Sequence, residues 1–196
     1  MRIVKLAQRS PEWLAWRSQG IGGSDAPAVV GLSPWTTRGA LLGEKKGALL
    51  GAPPKSFDSG AMARGRRLEP VVGRLYRDFT GWDFEDVCAE HDTLPFVRAS
   101  FDGWVRDINL PVEIKCPNRQ SHEQALSGVV PDYYVPQCHH LMAVAGSTRL
   151  HYVSYSDYFP AHKRLAVVTL RAAPEELAAL LAAEAEFWDE VTQAVA

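Results

Sequence analysis

The sequence predicts an α/β domain, with strands in mid-chain and helices before, among and after them. Three observations carry this. Segments near the middle alternate apolar and polar residues with period two, while the outer segments repeat apolar residues at helical spacing. Their order is helix, strands, helix, strands, helix, the pattern of a layered α/β architecture. At 196 residues, with 46 % hydrophobic and 22 % charged residues, the chain can bury one core and is too apolar for disorder. No repeat, low-complexity tract or long linker divides it, so a single domain is expected over residues 1–196.

Ser10-Pro11 announces the first helix, with a capping hydroxyl followed by a proline where no N–H is needed; it carries Trp13, Leu14 and Arg17 and stops at Gly20. Ser24-Asp25 reads as the cap of a short helix ending at Gly31. A third helix is expected from Thr37 to Lys46, followed by a loop at Gly51-Ala52-Pro53-Pro54. From Arg67 to Thr80, Leu68, Val71, Val72, Leu75, Tyr76 and Phe79 recur at helical spacing, and Pro70 fits only in the first turn of such a helix. Val97–Val105 and Leu110–Cys116 read as a strand pair joined by the polar Arg106-Asp107-Ile108-Asn109. A helix follows from Tyr133 to Ala145, capped by Gly146. Arg149–Tyr155 and Arg164–Leu170 are two more strands, and Pro174 opens a closing helix through Leu177, Leu180, Leu181, Trp188 and Val191.

Composition excludes several classes. No apolar run approaches eighteen residues, so no transmembrane helix is expected, and Met1 to Leu6 lack the apolar region of a secretory signal. Cys88, Cys116 and Cys138 are odd in number and far apart. That excludes a disulfide framework and a four-thiolate cluster, and points to a reducing cytoplasm. The net charge of −2 is uneven: from Arg171 onward one basic residue faces six acids, leaving +3 on residues 1–170. A basic working face beside an acidic tail fits this, and so do two solvated helix faces.

The chemistry gathers on the strand pair. In the second strand Val112, Ile114 and Cys116 share one face, and Glu113 and Lys115 the other. Asp102, eleven residues before Glu113, falls on the neighbouring strand. Two carboxylates that close repel each other in low dielectric unless a cation lies between them. Hard oxygens suit Mg²⁺ or Mn²⁺, and no His/Cys cluster argues for Zn²⁺. The bland alternative is a solvent-facing Glu–Lys pair, and the Asp-x₁₀-Glu-x-Lys spacing by itself arises by chance.

Other stretches keep it company: Ser10-Pro11-Glu12-Trp13 with Trp16-Arg17 and Ile21-Gly22-Gly23-Ser24; Gly65-Arg66-Arg67-Leu68-Glu69; Ala99-Ser100-Phe101-Asp102-Gly103; Glu113-Ile114-Lys115-Cys116-Pro117; and Tyr134-Val135-Pro136-Gln137. In this order, over Ser10 to Leu170, they resemble the phage alkaline exonucleases of the lambda exonuclease/YqaJ recombinase family. The resemblance implies a PD-(D/E)xK restriction-endonuclease-like core, a mixed central sheet flanked by helices. It implies that Asp102, Glu113 and the backbone carbonyl of Ile114 hold Mg²⁺ (or Mn²⁺), with Glu69 completing the carboxylate set through water. Lys115 would position or activate the attacking water, and Gln137 would hold Lys115 or the scissile phosphate. Arg17, Ser24 and Ser100 would bind a terminal 5′-phosphate. Phe101 departs from the family's usual proline at a position that lends no ligand.

Each position also has an ordinary reading: a helix-edge Glu69 paired with Arg66, a core amide at Gln137, a salt-bridged Arg17, a capping Ser24. The implied activity is a 5′→3′ exonuclease on linear double-stranded DNA, in the cytoplasm of a bacterial host, with a single-strand annealing protein as partner and a homotrimer among the family's assemblies. An endonuclease of the same fold and a non-catalytic DNA-binding module are the alternatives.

Overall fold

The computed structural model describes residues 1–53 and 59–195. A short strand, β1 (Arg2–Val4), precedes helix α1 (Pro11–Ser18). Ser10 caps α1 as expected, its hydroxyl accepting the Trp13 N–H at 3.1 Å. Strand β2 (Ile21–Gly22), a 3-10 turn over Gly23–Asp25 and helix α2 (Ala26–Val29) follow. Of the expected Ser24-Asp25 cap, Asp25 occupies the cap position of α2 and Ser24 does not. Asp25 precedes α2 and turns its carboxylate back to the Gly22 N–H at 2.9 Å, while the Ser24 hydroxyl accepts from Arg17.

Helix α3 (Arg38–Leu49) is capped by Thr37. Of the expected loop, Gly51, Ala52 and Pro53 are non-helical, and Pro54 lies outside the described residues. Helix α4 (Gly60–Thr80) begins seven residues before Arg67, capped by Ser59, so Pro70 sits mid-helix rather than in its first turn. Proline there forfeits one backbone hydrogen bond. Val72 and Tyr76, fully buried against the sheet, hold the helix across that defect.

Strands β3 (Glu85–Glu90), β4 (Val97–Val105) and β5 (Leu110–Lys115) come next. The β4–β5 connection is a 3-10 turn closed by Asn109 in the left-handed region, whose side chain accepts from the Trp104 indole at 3.0 Å. Helix α5 (Arg119–Leu126), capped by Asn118, leads through a 3-10 turn over Asp132–Tyr134 into α6 (Val135–Ala145). Strands β6 (Arg149–Tyr155) and β7 (Leu165–Arg171) and helix α7 (Pro174–Gln193) complete the chain.

The sequence reading lacked β1, β2, β3 and α5. Two- and three-residue strands are too short to show alternation. In β3 the four residues Val87 to Glu90 are buried consecutively, so no period shows, and three of its six residues are acidic. α5 buries Ser121 and His122 beside Ala125, a face that hydrophobic spacing does not reveal.

The strands form one mixed sheet in the order β1-β3-β4-β5-β6-β7, with β2 added parallel to β4. β5 and β6 are parallel; the remaining pairs are antiparallel. Val97, Ala99 and Phe101 pack with Leu141, Met142 and Val144 of α6 and Leu177 of α7 on one face. On the other face Val72 and Tyr76 of α4 meet Val105, Leu110, Val112, Ile114 and Val153. A third cluster joins Ile21, Val29 and Leu41 to Phe187, Trp188 and Val191 of α7. Each fully buried aliphatic or aromatic side chain contributes about 1.5–3 kcal/mol. Among the described residues no helix is long and apolar enough to cross a membrane.

Candidate active site

β4 carries an irregularity where the chemistry lies. Val87 pairs with Phe101 and Glu85 with Trp104, so β4 has one residue more than β3 across this interval, which contains Asp102 and Gly103. A bulge of this kind bends a strand and re-aims its side chains. Gly103 is required there, because a Cβ would lie 2.4 Å from the Phe84 ring. The β4–β5 ladder runs from Val105↔Leu110 to Gly103↔Val112. Beyond it the Ile114 N–H turns to the Asp102 carboxylate, Oδ2 accepting at 2.8 Å.

Glu113 projects to the α6 side and is 2 % exposed. Its Oε1 accepts from Lys115 Nζ at 2.5 Å and from Gln137 Nε2 at 2.6 Å. Lys115 Nζ also stands 5.4 Å from the Tyr134 ring centre. Burial first, then Glu113, raise the Asp102 pKa well above the carboxylate range; Lys115 and the Ile114 N–H only partly counter them. Burial alone would lower the Lys115 pKa, but Glu113 and Asp102 outweigh it and hold the ammonium above its usual value.

With both carboxylates ionised, one ammonium leaves an excess of negative charge among hard oxygen donors, a repulsion that adds to burial in raising Asp102 and that a cation would relieve. Asp102, Glu113 and the Ile114 carbonyl therefore fit a divalent cation such as Mg²⁺ or Mn²⁺. Among the described residues no three His, Cys, Asp or Glu side chains converge as a metal cluster, so the set rests on two carboxylates and a backbone oxygen. Glu69 stands apart from it. Its Oε2 lies 2.5 Å from Arg9 Nη2, yet its charge is near enough to push Asp102 upward.

A second group lies beside α1. Arg17 donates to the Ser24 hydroxyl, its guanidinium lies 5.1 Å from the Trp13 ring centre, and the Trp13 indole donates to Ser100 Oγ at 2.8 Å. Trp13 thus links the three residues of the expected phosphate pocket. Burial would raise the Asp25 pKa, but Lys45, at 2.7 Å, and Arg17 outweigh it and hold the carboxylate ionised. Gln137 connects the two groups, since a Cβ on Gly23 would touch its Cγ at 3.4 Å.

Apart from Glu69, which pairs with Arg9, the expected site residues fall in two adjoining clusters, and Gln137 holds Glu113 rather than Lys115. Sequence reasoning missed Arg9, Trp13 as the link, and Tyr134 over Lys115. Trp13 and Tyr134 lie inside the motifs that carry the family resemblance; Arg9 gives no sequence signal. His140, beside Gln137, is no ligand candidate: it is fully buried between Glu184 and the Arg98 carbonyl.

A mixed sheet holding such a cluster between two central strands is the architecture of a known nuclease-like class. Residues 12–148 match the YqaJ-like viral recombinase domain, and the chain belongs to that family. Among individual relatives, the uncharacterized protein YqaJ of Bacillus subtilis (strain 168) is 28 % identical over 137 residues, 69 % of this chain and 42 % of that protein. The chain thus spans less than half the length of that curated relative. Among solved structures, the alkaline exonuclease LHK-Exo from Laribacter hongkongensis superposes with a TM-score of 0.85 at 26 % identity, covering 95 % of this chain and 94 % of that one; it has also been solved in complex with dAMP. A phage related exonuclease from Haemophilus somnus 129PT shares the fold, with a TM-score of 0.67 at 13 % identity over 90 % of this chain and 96 % of that one.

Proposed function

We propose that this chain is a metal-dependent deoxyribonuclease, a 5′→3′ exonuclease that digests linear double-stranded DNA in phage-type recombination. The observation that carries the reading is the convergence of Asp102, Glu113 and Lys115 where β4 and β5 part. Asp102, Glu113 and the Ile114 carbonyl would hold Mg²⁺, with Mn²⁺ as the alternative. When bound, the ion supplies Lewis-acid polarisation of the scissile phosphate and lowers the pKa of water.

The protein's own groups do the rest. Lys115 orients the attacking water or meets charge developing on the phosphate. Gln137 fixes the Glu113 rotamer from α6. Glu69 acts as an outer carboxylate through water. Water adds to the phosphorus that joins the terminal nucleotide to the next, and the 3′-oxygen of the terminal nucleotide leaves with a proton. The released nucleotide keeps its original 5′-phosphate, and the attacked phosphate becomes the new 5′ end of the strand. The binding of dAMP by LHK-Exo supports a pocket for such a product.

Arg17, Ser24 and Ser100 recognise the 5′ end. A terminal phosphate carries about one more negative charge than an internal diester, and the Arg17 guanidinium offers paired donors for it. The same reading makes double-stranded DNA ends the substrate, a single-strand annealing protein the partner, a homotrimer one assembly, and a bacterial cytoplasm the location.

The test is digestion of linear, nicked and closed-circular duplex DNA with Mg²⁺ and with EDTA. Mononucleotides from linear DNA alone, abolished by EDTA, are expected. Nicking of closed circles would instead support an endonuclease, and binding without products a non-catalytic module. Arg17→Ala should slow digestion of 5′-phosphorylated ends and spare 5′-hydroxyl ends. Equal wild-type rates on the two ends would remove the pocket.

A further inference from the structure

An exposed indole lies one aromatic layer away from Lys115. Trp35, in the loop between α2 and α3, leaves 67 % of its surface to solvent, although an indole gains more from burial than most side chains. It is nevertheless held in place. Ser33 Oγ accepts the Trp35 and Thr36 N–H groups at 3.2 Å each, which fixes the turn. The ring meets Tyr133 edge-on, with centres 5.1 Å apart, and Tyr134 at a tilt, with centres 5.8 Å apart. Tyr133 is itself anchored through its hydroxyl to Ser121 at 2.6 Å. The Tyr134 ring centre then lies 5.4 Å from Lys115 Nζ. End to end, these two legs bridge at most about three nucleotide rises of ~3.4 Å along one strand.

We propose that Trp35 stacks on a nucleobase of the bound DNA, within about three nucleotides of the phosphate held at Lys115, and so sets the register of the strand in the cleft. This rests on the nuclease reading above. Every base has a π face, so an indole platform holds DNA without reading its sequence, which suits an enzyme that must digest whatever end it meets. The charge of Lys115 serves the phosphate side of the nucleotide, and Trp35 the base side. Tyr134 spaces the two. A stacked register acts on binding more than on the chemical step, so its loss appears in KM rather than kcat.

The experiment measures kcat and KM for wild type, Trp35→Ala and Trp35→Phe on a 5′-phosphorylated duplex with Mg²⁺. Duplexes with an abasic residue at each of the first few 5′ nucleotides, or at their complements, complete the set. On intact DNA, Trp35→Ala should raise KM roughly ten-fold with kcat and melting temperature little changed, the size expected for losing one base–aromatic stack. Trp35→Phe should recover most of it. Removing the stacked base should cost wild type the same factor and leave Trp35→Ala no worse. Equal KM for wild type and Trp35→Ala on intact DNA overturns the inference and leaves the nuclease reading standing. So does a loss that persists at every abasic position, as a docked protein or a structural role would give. A wild type that neither binds nor cleaves duplex DNA overturns both.

Discussion

Val112 and Ile114 enter a dry apolar layer against α4, whereas Glu113 and Lys115, their neighbours on the same strand, enter a layer of polar contacts against α6. On the α4 side Tyr76, Val105, Leu110 and Val153 close round the strand, and Tyr76 makes a part-buried polar link to His151 at 2.8 Å. The α6 side buries charges and amides: Glu113 with Lys115 and Gln137, and deeper in, His140 with Glu184. Strand parity thus separates two duties. The apolar side holds β5 rigid by packing, and the polar side then positions its charges by hydrogen bonds on a backbone that does not move. Substitutions on the two sides should fail in different ways.

The largest effect is expected at the carboxylates. Asp102→Asn and Glu113→Gln should each reduce cleavage to background while the protein stays folded. Asparagine keeps an oxygen for the Ile114 N–H and removes the repulsion that raises Asp102. Melting curves beside Mg²⁺-dependent digestion of linear DNA check this, and near-normal turnover in either variant would sink the proposed site. Lys115→Ala should lower the rate roughly 10²-fold without weakening metal affinity, because a neighbouring cation opposes the ion.

The apolar side should behave in the opposite sense. Tyr76→Ala removes a fully buried ring from the α4 layer and should cost about 3–5 kcal/mol of stability in denaturant titrations. The digestion rate per folded molecule should hardly change. A folded variant with lost activity would show that the two sides are not separate.

The smallest effect sharpens the contrast within the α6 side. Burial alone would lower the His140 pKa, but the Glu184 carboxylate 2.7 Å away outweighs it and holds the imidazole above its usual value. Because the folded value is raised, this contribution is complete below about pH 6.5 and is lost as pH rises through the folded value. Unfolding free energies at about pH 6 and about pH 9 should therefore show a decline in wild type that Glu184→Gln flattens or reverses. An unchanged decline in the variant would assign it to other groups.

Much of this was legible from the chain alone, and the reason is separation along it. The β4–β5 pair joins residues a short turn apart, so alternation and Asn109 suffice to bring Asp102 beside Glu113 and to put Lys115 on the same side as Glu113. Helices α1, α3 and α7 announce themselves through Ser10-Pro11, Thr37 and Pro174, because capping is a matter of a few neighbouring residues. The roles given to Glu69, Gln137 and Arg17 came from the order of motifs, not from periodicity.

What only the tertiary structure decided depends on partners far away in sequence. The extra residue in β4 exists only in relation to β3, which supplies the register that β4 exceeds. Pro70 is tolerated in mid-helix because the sheet grips Val72 and Tyr76, a packing gain that no local propensity contains. Trp13 reaches Ser100 across 87 positions and Arg9 reaches Glu69 across 60, so nothing local marks either pair. The sequence by itself determined which residues carry the charges and on which side of the strand they lie. Long-range packing alone decided how close those charges come and what holds each of them there.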